Sequence, residues 1–210
     1  MKIKICGMKH PENIKAIQKL QPDLMGFIFY EKSLRCVDQE ILQKTNLSIK
    51  DISTVGVFVN TSISDVIEIA EKFSFDFIQL HGNETSEYVK KLYDTGLKII
   101  KAFQIKEDFD WKTLQHYAMS VSYFLFDTPT EKYGGSGKKF NWEHLKKYNE
   151  KNPFFLSGGI TGDDIQEIKN LKMPLLYGID VNSKFETEPG RKDEEMIKKM
   201  INQVRNGSKI

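Results

Sequence analysis

Pro153-Phe154-Phe155-Leu156-Ser157-Gly158-Gly159-Ile160, then a helical run, then Leu175-Leu176-Tyr177-Gly178-Ile179-Asp180-Val181-Asn182-Ser183-Lys184-Phe185-Glu186: this is the stretch on which the fold turns. Each apolar segment is strand-length and ends in small residues, Ser157, Gly158 and Gly159 after the first and Asn182 and Ser183 after the second. Glycine lets backbone N–H groups approach a ligand, and Ser or Asn can cap a following helix. A helix N-terminus offers unpaired donors and a favourable dipole to an anion. In a barrel of eight β/α units the phosphate site usually lies after strands seven and eight, beside a short extra helix. Two ordinary strand-to-helix turns would read the same way in isolation, since glycine-rich turns have many uses.

Working outward, six more apolar segments precede this stretch. Lys2-Ile3-Lys4-Ile5-Cys6 alternates like a strand and stops at Gly7. Further strands are predicted at residues 24–29, 55–59, 77–80, 98–103 and 123–127. Their continuous apolar character suits strands covered on both faces. Helical spacing of apolar residues predicts helices over 10–20, 62–73, 85–93 and 142–149, with weaker ones over 38–45 and 111–117. A helix between every pair of strands makes the sheet parallel. The expectation is an α/β chain folded as a single (β/α)8 barrel, the TIM-barrel architecture, with residues 1–210 as one domain.

Composition narrows the function. Lys+Arg 31 against Asp+Glu 29 leaves a net charge of +2, which gives no case for a nucleic-acid partner. No apolar run approaches the roughly 20 residues of a membrane span, and Met1-Lys2-Ile3-Lys4 lacks a signal-peptide core. With only Cys6 and Cys36, a disulfide framework or a cysteine zinc cluster is not expected. None of the four histidines has metal-ligand spacing. A reduced cytoplasmic enzyme without a membrane partner fits best.

Active sites of such barrels gather at the C-terminal strand ends, which here carry Cys6, Ser33 and Arg35, Asn60, His81, Asp127, Ser157 and Asp180. A thiol ionises at about 8.5, within reach of tuning into a base, although a lone cysteine is more often a small buried hydrophobe. Asp127 closes an aromatic strand, where a carboxyl can serve as general acid or simply cap a loop. Arg35 could clamp a carboxylate or form a surface ion pair. His81 reads as a hydrogen-bonded structural histidine. The loop Gly134-Gly135-Ser136-Gly137 lacks the spacing of a P-loop or dinucleotide fingerprint and suits a segment able to fold over a ligand. Lys4 shares the inward face of its strand with Cys6, and Asp180 on the neighbouring eighth strand is its expected charge partner.

Lys4-Ile5-Cys6-Gly7, Gly26-Phe27-Ile28-Phe29 with Ser33 and Arg35, Val55-Gly56-Val57-Phe58, Gln79-Leu80-His81-Gly82, Phe126-Asp127 before Gly134-Gly135-Ser136-Gly137, Ser157-Gly158-Gly159, and residues 178–183 through Glu186, Pro189-Gly190 and Lys192-Asp193 stand in that order. Together they resemble the phosphoribosylanthranilate isomerase family of tryptophan biosynthesis, over nearly the whole chain. Leu34 and Cys36 stand where that family has a proline and usually an aromatic, and Ser157 and Asn182 replace its commoner alanine and serine. The resemblance implies an Amadori rearrangement with Asp127 as general acid and Cys6 as base. It implies Arg35 on the anthranilate carboxylate, and Gly158, Gly159, Asn182 and Ser183 on the phosphate. No metal or organic cofactor is implied, the partner is a phosphorylated small molecule, and relatives are monomers or homodimers. Two other readings stand beside it: the imidazole-pathway isomerase, which pairs aspartates and needs two phosphate sites, and a non-catalytic sugar-phosphate sensor on the same scaffold.

Overall fold

A computed structural model of the chain describes residues 1–45, 47, 51–129 and 140–206. Eight strands, β1 (Lys2–Ile5), β2 (Leu24–Ile28), β3 (Ser53–Phe58), β4 (Phe77–Leu80), β5 (Ile99–Gln104), β6 (Tyr123–Asp127), β7 (Phe154–Leu156) and β8 (Leu176–Val181), close into a barrel in sequence order. Every neighbouring pair is parallel, including the closing pair, where Lys4 lies opposite Asp180. The predicted barrel is therefore the observed one.

Helices α1 (Pro11–Lys19), α2 (Gln39–Gln43), α3 (Ile63–Phe73), α4 (Ser86–Tyr93), α5 (Ile165–Asn170) and α6 (Glu194–Arg205) pack outside it. Their starts follow the cap chemistry in the sequence. The Asp38, Ser62, Thr85 and Asp193 side chains each accept backbone N–H groups from the first turn of the helix that follows, and Pro11 opens α1. Two predicted helices are 3-10 segments instead, Trp111–His116 and Trp142–Lys147. In the first, Leu114 alone is buried, too narrow a stripe to hold a longer α-helix. In the second, Trp142 and Leu145 are buried three apart, the period of a 3-10 turn.

The core has two shells. The outer one joins the strands' outward residues to the helices, and the inner one, with Leu24, Val55, Val57, Ile100, Leu125 and Phe155, fills the barrel. At the bottom Phe77, Tyr123, Phe155 and Tyr177 close it with ring contacts, Tyr123 and Tyr177 only 4.5 Å apart between centroids. The polar residues are concentrated above this plug. After β8 the chain adds something the sequence did not suggest, an antiparallel pair β9 (Glu186–Glu188) and β10 (Arg191–Lys192).

Candidate active site

One cavity at the C-terminal end of the barrel is lined by Cys6, Ser33, His81, Asp127, Gly158, Gly159, Asp180, Asn182 and Ser183, among others. The barrel thus brings together six of the seven predicted site residues from four separate stretches. Arg35 is the seventh. It stands beside the cavity rather than in its wall, with Nε and Nη2 bonded to the Glu186 carboxylate at 2.6–3.0 Å.

Cys6 follows β1 and is buried. Burial pushes its thiol above the ordinary value, and the ammonium of Lys4 pulls the other way. Lys4 is fully buried inside the barrel, its Nζ 2.8 Å from Asp180 Oδ1, which is the pairing expected from the alternation. Burial works against this ammonium, but Asp180 and Cys6 outweigh it and leave its pKa raised. Gly26 makes the arrangement possible. A Cβ there would fall 2.8 Å from Cys6 Sγ and 3.1 Å from Lys4 Nζ, so a side chain on β2 would displace both. Asp180 Oδ2 also takes the Ser157 hydroxyl at 3.4 Å.

Asp127 ends β6 across the cavity from β1. Its Oδ1 accepts the Thr128 N–H at 2.8 Å, and its Oδ2 lies 3.1 Å from His81 Nε2. His81 Nδ1 lies 2.8 Å from Gln79 Nε2, one layer deeper. This chain of contacts was missed by the sequence reading, which took His81 as structural. The available signal was the Gln79–His81 spacing, since residues two apart on a strand share a face.

Gly158 has φ of +94° and Gly159 +68°. A Cβ on Gly158 would strike Thr128 Oγ1 at 2.2 Å, so the turn after β7 presses against the residue following Asp127. The N–H groups of both glycines donate to no described residue. The expected helix start is not at the glycines themselves: Thr161 and Asp164 form a capping box before α5. After β8, Asn182 precedes the short 3-10 turn Ser183–Phe185.

Lys192, on β10, gives its Nζ to Asn182 Oδ1 and Glu186 Oε1, both at 2.6 Å. Glu186 therefore holds Arg35 and Lys192 together. Burial alone would raise its carboxyl, but the Arg35 hydrogen bond and the Lys192 charge bring it below the ordinary value. The glycine-rich loop at 134–137 lies outside the described residues.

Residues 3–203 match the protein family described as N-(5'phosphoribosyl)anthranilate (PRA) isomerase. The chain belongs to this family. An N-(5'-phosphoribosyl)anthranilate isomerase of Parabacteroides distasonis is 44% identical over 209 residues, 97% of this chain and 93% of that one. The relative from Thermoanaerobacter sp. is 36% identical over 206 residues, 98% of each chain. Among solved structures, the Thermotoga maritima isomerase superposes with a TM-score of 0.86 at 29% identity, covering 98% of this chain and 99% of that one. A further phosphoribosyl anthranilate isomerase, solved with reduced 1-(o-carboxyphenylamino)-1-deoxyribulose 5-phosphate, gives a TM-score of 0.82 at 26% identity over 98% and 99% of the two chains. Among the described residues no helix is long and apolar enough to cross a membrane.

Proposed function

We propose that Cys6 and Asp127 carry, as base and acid, the reaction of this phosphoribosylanthranilate isomerase. The enzyme converts N-(5'-phosphoribosyl)anthranilate to 1-(2-carboxyphenylamino)-1-deoxyribulose 5-phosphate, a step of tryptophan biosynthesis. Ring opening needs a proton on the furanose oxygen, which Asp127 supplies. The resulting Schiff base acidifies the adjacent carbon, whose proton the Cys6 thiolate removes. The observation that carries this assignment is that a thiol and a carboxyl face one cavity from β1 and β6, with two glycine N–H groups between them after β7 that donate to no described residue.

The phosphate sits on the N–H groups of Gly158 and Gly159 and on the Asn182-Ser183 turn. Fixing that end turns the acid and base into groups held against one substrate geometry, which is where proximity lowers a barrier. Arg35 holds the anthranilate carboxylate. Its guanidinium has five N–H donors, and Glu186 takes the Nε–H and one of the two on Nη2, leaving the Nη1–Nη2 edge. Residues 1–210 act as one catalytic domain in the cytoplasm. Every residue given a role here belongs to one chain, and the reading holds for a monomer or a homodimer.

The test follows the fluorescence of phosphoribosylanthranilate. Cys6→Ser and Asp127→Asn should each lower kcat by about 10²–10⁴-fold with little change in substrate binding. Full activity in either variant would remove that residue from its role, and binding without turnover in the native protein would revive the sugar-phosphate sensor.

A further inference from the structure

Gln79 is a fully buried amide in the barrel interior, on β4, with Val57 and Ile100 as its register neighbours on β3 and β5. Its Oε1 has no hydrogen-bond partner among the described residues. An orphaned buried acceptor costs stability, and an apolar side chain of the same length would avoid it. Packing therefore gives no reason for an amide at this position. The described hydrogen bond of the side chain is the one from Nε2 to His81 Nδ1 at 2.8 Å.

That contact fixes a proton elsewhere. The amide nitrogen faces the imidazole and an amide nitrogen only donates, so in this orientation Nδ1 is the bare nitrogen and Nε2 carries the hydrogen. Nε2 then donates to Asp127 Oδ2 at 3.1 Å, while the Thr128 N–H donates to Oδ1 at 2.8 Å. Both carboxyl oxygens are thus held as acceptors. Each carboxyl oxygen has a second lone pair, where the proton that Asp127 delivers can sit without meeting either donor. The opposite tautomer would place a bare Nε2 against Asp127, where it would compete with the substrate oxygen for the acid's proton.

We infer that Gln79 is a positioning residue: acting through the tautomer of His81, it keeps the proton of Asp127 available to the substrate at a cost in stability. The His81 proton stays on Nε2 throughout, and the proton transferred is Asp127's own. The inference rests on Asp127 being the acid.

The test combines three measurements. Nitrogen-15 imidazole spectra of the native protein, with the His81 signal assigned by its loss in His81→Asn, should show the Nε2–H tautomer. Gln79→Glu, where the new carboxyl is ionised, only accepts, and should place a proton on Nδ1 and lower kcat. Gln79→Met should melt at or above the native temperature while kcat falls about tenfold or more at nearly unchanged KM. A native Nδ1–H tautomer, or native turnover in Gln79→Met, would overturn the inference. So would a lower melting temperature in Gln79→Met, which would make Gln79 a packing residue. An inactive Asp127→Asn beside a fully active Gln79→Met would sink this inference alone, whereas a fully active Asp127→Asn would first remove the acid.

Discussion

Lys4 and Lys101 are both buried lysines on barrel strands, both paired with a carboxylate, and they sit on opposite faces of the wall. Lys4 points inward to Asp180, beside Cys6 and the cavity. Lys101 lies between inward-facing Ile100 and Ala102 and so points outward, to Glu84 Oε2 at 2.9 Å and to the carbonyls of Leu80, Gly82 and Ala102. Glu84 in turn accepts the N–H groups of Asn60 and Gly82. The outer pair therefore ties the turns after β3 and β4 to β5. The balance of forces differs as well. Burial wins at Lys101 and lowers its pKa, whereas at Lys4 the two nearby acidic groups win and raise it. A lysine–carboxylate pair braces loops on one face and stands beside the Cys6 thiol on the other.

The largest expected effect breaks the outer pair. Lys101→Met leaves Glu84 as a buried carboxylate without its cation and should cost about 3–5 kcal/mol. For a chain of this size that lowers Tm by roughly 10 °C. Calorimetry checks the loss, and turnover per folded molecule should fall far less than in the Cys6 variant. A Lys101→Met protein as stable as the native one would mean Glu84 is neutralised or solvated there.

Next comes the inner pair. Lys4→Met removes the ammonium that opposes the burial of Cys6, so the thiol should ionise at still higher pH. With the thiolate as the proposed base, the rising limb of the kcat/KM profile should move to more alkaline pH, with about a tenfold loss at neutral pH for each unit of displacement. A profile that does not move would detach Lys4 from the base. The double variant Lys4→Met with Asp180→Leu should regain much of the stability lost in Lys4→Met, because no charge is left unpaired, without regaining its activity. Recovery of both would make the pair merely structural.

The smallest effect is the alkaline stability profile, where the two lysines should differ in sign. Lys4 has a raised folded pKa, so its contribution is full below the ordinary lysine value of about 10.4 and is lost as pH rises through the folded value. Lys101 has a lowered one, so between its folded value and about 10.4 the unfolded chain binds more protons and stability rises with pH. Relative to the native protein, Tm should fall less steeply with alkaline pH in Lys4→Met and more steeply in Lys101→Met. Parallel curves would contradict the comparison.

The sequence by itself determined the barrel, because strands covered on both faces announce themselves as apolar runs and the caps at Asp38, Ser62 and Thr85 mark where helices begin. It also placed Cys6, Asp127 and the two terminal turns at strand ends, and the two-residue period was enough to put Lys4 inside, opposite Asp180. What it could not give were contacts between residues far apart in the chain whose side chains meet only after closure. Glu186 lies 151 residues from Arg35, and His81 lies 46 from Asp127. Neither pair leaves a local pattern, since hydrogen-bonding partners are chosen by where the barrel and the β9–β10 extension carry them. The short 3-10 segments were misread for a related reason, as a single buried Leu114 or a Trp142–Leu145 pair is too little periodicity to tell one helix type from another. Local propensity and burial pattern fixed the scaffold and the Lys4–Asp180 pair, and tertiary closure decided the partners of Arg35 and Asp127.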